Sequence, residues 1–258
     1  MFMMNELKRM VKREKKVFLE FCQSNNLLLN YQSNKNEFGI LKAIFENREY
    51  SDYFPFYEKA SIIDIGAHYG YFSIFAKNNT DKGSIIIAVE PSKSNYKHLK
   101  KNFEDNKISN ITSFNYAIGG KSGLSRLYQG QSSNHSMVEN YVLLEQNRDF
   151  EEIEVKTLEE FIIENNLDKI DFLKMDCEGA EYSILENTSD YIYDKIITIS
   201  MEFHDLKVNY HTGGSLCKTL VKNGFEIVKY KYEKTSMNLN YGKIIGTKIF
   251  GSLRGSTS

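Results

Sequence analysis

From Ser61 onward the chain repeats one texture: short apolar runs rich in β-branched residues, separated by amphipathic segments of helical period. The runs are Ile62 to Ile65, Ser84 to Val89, Ile111 to Asn115, Ile170 to Met175 and Ile196 to Met201, and the helical patterns between most of them are 71–78, 94–106, 158–166 and 180–186. Strands apolar on both faces that alternate with helices belong to a parallel sheet covered on each side, because each crossover lays its helix on a sheet face. The expectation is an α/β three-layer sandwich. A further helix at 215–223 and strands at 225–232 and 243–250 add a closing antiparallel hairpin at the sheet edge, giving a mainly parallel seven-stranded sheet.

The chain has enough apolar surface for such a fold, with 258 residues, 41% hydrophobic and 13% aromatic, and this excludes bulk disorder and fibrous classes. Thirty-three basic against 34 acidic side chains leave a net charge of −1, so no global field attracts a polyanion and there is no strong nucleic-acid signal. Cys22, Cys177 and Cys217 are odd in number and widely spaced, which indicates neither a disulfide framework nor a zinc knuckle and makes a cytoplasmic location the expectation. No run approaches the roughly 18 apolar residues of a membrane span.

Three regions are expected: a helical extension at 1–58, a ligand-binding domain at 59–251 and a polar tail at 252–258. Residues 3–20 set Met3, Leu7, Met10, Val11 and Phe18 at near-helical spacing among Lys8, Arg9, Lys12, Arg13, Lys15 and Lys16. Such a basic amphipathic helix packs on the domain, or meets an anionic membrane surface or acidic partner peripherally. The segment 21–60 reads as short helices forming a lid or a homo-oligomer arm. After Ile118, the run Gly119 to Gly123 and the stretch 131–136 read as turn and loop.

The chemistry gathers at the carboxyl ends of the predicted strands, where open α/β sheets bind ligands. Asp64-Ile65-Gly66-Ala67-His68-Tyr69-Gly70-Tyr71-Phe72-Ser73 runs from a strand into a helix, with glycines that let backbone approach a ligand. Its GxxxG spacing is neither the GxGxxG of a dinucleotide site nor a phosphate-binding P-loop. Glu90 closes the next strand, ahead of Pro91, and suits two ribose hydroxyls. Together with Asp64 it points to an adenosine-containing cofactor with a cationic tail, a description that S-adenosylmethionine fits. Asp176, Glu178 and Glu181 crowd the fourth strand end, where a helix cap and first-turn charges are the plainer reading for some of them. Glu202 and His204 share one side of the pleat at the end of the fifth.

These motifs carry a family resemblance. Asp64 to Ser73, Val89-Glu90-Pro91, Tyr116 to Gly119 as a third strand, Thr157 to Phe161, and Leu173 to Glu181 resemble the signatures of FkbM-type S-adenosylmethionine-dependent methyltransferases, over roughly residues 60–230. His68 stands where that family usually has Asn. The resemblance implies a class I methyltransferase fold, Rossmann-like, and O-methylation of a hydroxyl on a sugar, glycan or small secondary metabolite, with S-adenosylhomocysteine as the product. The expected cofactor-binding set is Asp64, Gly66, Ala67, His68, Gly70, Tyr71, Phe72, Ser73, Glu90, Pro91, Asn115, Ala117 and Asp176. Asp176 is the expected residue to orient or deprotonate the acceptor, with His204 and Glu202 as a competing base and its partner, and His135, Glu178 and Glu181 are candidate substrate contacts. A divalent metal bridging Asp176 and Glu202 is conceivable, though no ligand spacing demands it. The competing readings are a nicotinamide-dependent oxidoreductase, which would want three glycines, a nucleic-acid (RNA ribose) methyltransferase, for which the sequence has no N-P-P-Y-like motif, and a non-enzymatic cofactor-binding scaffold or partner-binding module, which would leave the carboxylate cluster without a task.

Overall fold

The computed structural model describes residues 2–29, 37–129, 135–137, 149–205, 211–234 and 240–248. In chain order the elements are α1 (Phe2–Ser24), α2 (Glu37–Phe45), β1 (Ser61–Ile65), α3 (Tyr71–Asn79), β2 (Ile85–Val89), α4 (Lys93–Asp105), β3 (Ile111–Phe114), β4 (Ala117–Gly119), β5 (Gly123–Tyr128), β6 (Phe150–Thr157), α5 (Leu158–Glu164), β7 (Ile170–Met175), α6 (Glu181–Glu186), α7 (Asp190–Lys195), β8 (Ile196–Asp205), α8 (Gly213–Lys222), β9 (Glu226–Glu233) and β10 (Asn240–Thr247). The main sheet has seven strands in the order β3-β2-β1-β7-β8-β10-β9. The pairings from β3 through to β8 are parallel, and β10 runs antiparallel to both its neighbours. This is the expected α/β three-layer sandwich with a mainly parallel seven-stranded sheet.

The period-2 pleat sends successive residues to opposite layers. Ile62, Ile86, Ala88 and Phe172 pack on one face with Phe72 and Phe75 of α3, while Ile63, Ile87, Leu173 and Met175 pack on the other with Phe161 of α5 and Ile184 of α6. Strand order reverses between β1 and β7, which opens a crevice above their carboxyl ends.

Two expectations change. Ala117–Gly119 does not belong to the main sheet: the third strand there is β3, and β4 pairs with β6 in a separate sheet ordered β4-β6-β5. The turn expected at Gly119 to Gly123 joins β4 to a strand that was not expected, Gly123–Tyr128, which pairs antiparallel with β6, and residues 131–134 of the expected loop lie outside the described residues. Ala117, Leu127, Ile153 and Val155 form a small core beneath it. The tail at 252–258 and the end of the expected strand 243–250 lie outside the described residues.

The N-terminal extension shares the core of the domain. Phe18, Phe21 and Cys22 of α1 are buried in the same cluster as Ile62 and Phe72, whereas residues 12–17 are exposed. Edge-to-face ring contacts run from Phe21 to Phe45 and from Phe45 to Phe75, linking α1 and α2 to α3. Among the described residues no helix is long and apolar enough to cross a membrane.

Candidate active site

The turn from β1 into α3 is built by its glycines. Gly66 and Gly70 take left-handed φ of 73° and 78°. At Gly66 a Cβ would sit 1.8 Å from the carbonyl oxygen of Asp176, so only glycine lets the β1 and β7 ends approach this closely. His68 also has positive φ, 52°, a region that His and Asn enter more readily than most residues. That conformation turns its backbone N–H onto Glu90 Oε2 at 2.8 Å, and Ser92 N–H donates to Oε1 at 3.0 Å. Burial pushes the Glu90 carboxyl up to about 7, against these hydrogen bonds, which pull it down.

Several expected contact residues lie beneath the turn instead of in it. Asp64 is fully buried, accepts from Ser73 Oγ at 2.6 Å and pairs with Lys174 Nζ at 3.1 Å. Lys174 also donates to the Gly66 carbonyl at 2.8 Å, so the pair holds the turn from below and neither Asp64 nor Ser73 lines the cavity. Gly70 packs against Leu99 and Phe103. Asn115 donates to the carbonyls of Glu90 and Pro91 and shapes the acidic loop from outside.

Above the strand ends lies a cavity of about 420 Å³, within the usual range for a small-molecule site. Gly66, Ala67, His68, Tyr71, Phe72, Glu90, Pro91, Ala117, His135, Asp176, Glu178 and Glu202 line it, as expected of pocket residues. Its other walls include residues that no motif marked. Gly39, Ile40, Ala43 and Ile44 of α2, then Glu49 and Tyr50, come from the extension, and Tyr241 comes from β10. A buried Glu37 accepting from Tyr71 Oη at 3.4 Å ties α2 to α3.

At one end of the cavity the acidic residues are held by interleaved cations. Tyr50 Oη donates to Asp176 Oδ2 at 3.0 Å and lies 3.4 Å from Glu202 Oε2, while Asp176 Oδ1 has no hydrogen-bond partner among the described residues. Burial and the charge of Glu202 raise the Asp176 carboxyl, with Lys174, His204 and Lys243 pulling the other way. For Glu202, hydrogen bonds and charge from His204 and Lys243 outweigh burial and hold it at about 2.

His204 is not the free base expected of it. It is buried off the cavity, with Nε2 3.2 Å from Glu178 and 3.6 Å from Glu202, and Nδ1 3.7 Å from Glu181. Burial alone would lower its pKa, but three carboxylates raise it well above the usual value, so at neutral pH it is an imidazolium with no lone pair to accept a proton. Glu181 does not reach a substrate either. Fully buried, it accepts from the backbone N–H groups of Cys177 and Gly179 and closes the turn after β7.

The donor set decides which cofactor chemistry fits. Lys174, the one basic side chain among the described lining residues apart from histidines, is committed to Asp64 and the Gly66 carbonyl, so no free cation awaits a pyrophosphate. Glu90, Asp176 and Glu202 instead favour an uncharged ribose and a cationic tail, which S-adenosylmethionine offers. A metal fits less well. Ligand atoms of Asp176, Glu202 and His204 lie within 4.8 Å of one another, yet the His204 imidazolium and Lys243 Nζ, 3.2 Å from Glu202, already supply the positive charge there.

The family model described as "Methyltransferase FkbM domain" matches residues 64–227. "Methyltransferase 1" of Beauveria bassiana is 28% identical over 205 residues, covering 73% of this chain and 80% of that protein. Among solved structures, the METTL16 MTase domain has a TM-score of 0.49 at 12% identity, covering 89% of this chain and 76% of that one. M. capricolum TrmK in complex with S-adenosylhomocysteine has a TM-score of 0.46 at 15% identity, covering 79% and 68%. Spanning the glycine turn, the Glu90 loop and the β7 tip, the family match shows that the chain belongs to the FkbM methyltransferase family.

Proposed function

We propose that the protein is an S-adenosylmethionine-dependent O-methyltransferase acting on a hydroxyl of a sugar, glycan or small metabolite. One observation carries the reading: Asp176 stands in the cavity wall at the β7 tip with one carboxylate oxygen held by Tyr50 and the other without a donor among the described residues. A buried oxygen in that state is stabilised by an incoming hydroxyl.

S-adenosylmethionine would supply an electrophilic methyl group, and Gly66, Ala67, His68 and Glu90 are the residues that would hold it. Asp176 accepts the acceptor's proton at Oδ1, a task suited to a carboxylate whose proton affinity is raised by burial. Glu202, held at about 2, is too weak a base to compete, and His204 is already protonated. Ile40, Ala43 and Ile44 of α2 and Phe72 of α3 give the cavity an apolar lining that excludes water.

The test is transfer of a radiolabelled methyl group to a panel of neutral sugars, oligosaccharides and hydroxylated metabolites. Labelled ether products formed by the wild type and lost in Asp176→Asn support the reading; labelling only of amines or nucleic acid would contradict it.

A further inference from the structure

The catalytic end of the cavity is completed from outside the family-matched segment 64–227, by Glu49 and Tyr50 on one flank and Lys243 on the other. The turn after α2 places Tyr50 there. Glu49 N–H donates to the Ala43 carbonyl at 2.9 Å, Arg48 takes a left-handed φ of 52°, and both the backbone N–H and Oγ of Ser51 donate to the Arg48 carbonyl. The Tyr50 ring then meets Phe72 edge-to-face, and the ammonium groups of Lys243 and Lys174 stand 4.5 and 5.4 Å from its centroid. Lys243 in turn pairs with Glu49 and Glu202.

We propose that Tyr50 is a positioning residue for the reaction: its hydroxyl donates to Asp176 Oδ2, fixes that carboxylate against Glu202, and leaves Oδ1 as the oxygen that meets the acceptor. Ring packing alone does not explain the residue type, since phenylalanine would fill the same space. The hydroxyl is what ends between two carboxylates, and their charge, after burial, is what drives its own pKa well above the usual value. The kinetic consequence rests on the methyltransferase reading; the hold on Asp176 does not.

Tyr50→Phe separates the two. With ¹³C-labelled aspartate, the Asp176 carboxyl resonance, assigned by its loss in Asp176→Asn, reports the titration without any acceptor. Glu202, Lys174, His204 and Lys243 still face Asp176 in the variant, so the hydroxyl is the only group removed. Loss of a donor to the charged form moves the midpoint upward, and kcat falls about tenfold or more with S-adenosylmethionine affinity and acceptor KM nearly unchanged. An unmoved Asp176 titration overturns the proposal, as does an unchanged kcat. A shifted titration in a protein that transfers no methyl group would keep Tyr50's hold on Asp176 and discard the methyltransferase reading.

Discussion

Glu90 offers the sharpest quantitative test of the site's electrostatics. Its folded-state pKa stands at about 7 against an ordinary 4.5, a difference worth about 3 kcal/mol at 1.36 kcal/mol for each unit. Because the native state binds this proton more tightly than the unfolded chain does, the stability it contributes is complete below pH 4.5 and is lost as pH rises through about 7. Glu90→Gln removes the titration. Its amide nitrogen also opposes a backbone N–H of His68 or Ser92, so the variant is less stable at acid pH. Denaturant unfolding of both proteins from pH 4.5 to 8.5 should give curves that converge with rising pH, the wild type losing about 3 kcal/mol relative to the variant. His204 titrates in both and cancels from the difference. Parallel curves would refute the reasoning and show that the two N–H donors outweigh burial. In the same window, S-adenosylmethionine affinity should rise with pH, because only the ionised carboxylate accepts from two ribose hydroxyls.

Three further outcomes follow from the geometry. Asp176→Asn should keep the thermal midpoint and lower turnover about 100-fold or more, measured by product formation at saturating substrates. His204→Ala strands Glu178, Glu181 and Glu202 without their shared cation and should cost about 3 to 5 kcal/mol in denaturant unfolding at pH 6; the loss shrinks as pH rises through the raised His204 pKa, since the wild type forfeits the same stabilisation there. Phe18→Ala, at a position 1% exposed between the extension and the domain, should lower stability by about 3 to 5 kcal/mol by the same measurement.

The central strands β1, β2, β7 and β8 are legible in the sequence because each is an apolar run buried on both faces, whereas β9 is largely exposed and β10 begins three residues before its expected start. β5 and β6 hide for the opposite reason. Leu124 of β5 is exposed, and β6 buries only Ile153 and Val155 against a charged background, a period-2 signal that the charge obscures. At the site, the glycine turn, Glu90 and Asp176 declare themselves by position at strand ends. Glu202 and His204 do share a pleat face, yet their roles diverge because the β7 loop lays Glu178 and Glu181 over His204, a tertiary fact with no local signature. Tyr50 is hidden more deeply. Nothing near it in sequence has a motif, and its partners lie 126 and 152 residues away.

Calorimetric titration of the wild-type protein with S-adenosylmethionine, S-adenosylhomocysteine and NAD, run in parallel, tests the central claim most directly. Micromolar binding of both adenosyl compounds with no heat from NAD is the predicted result. Binding of NAD, or of none of the three, would contradict it.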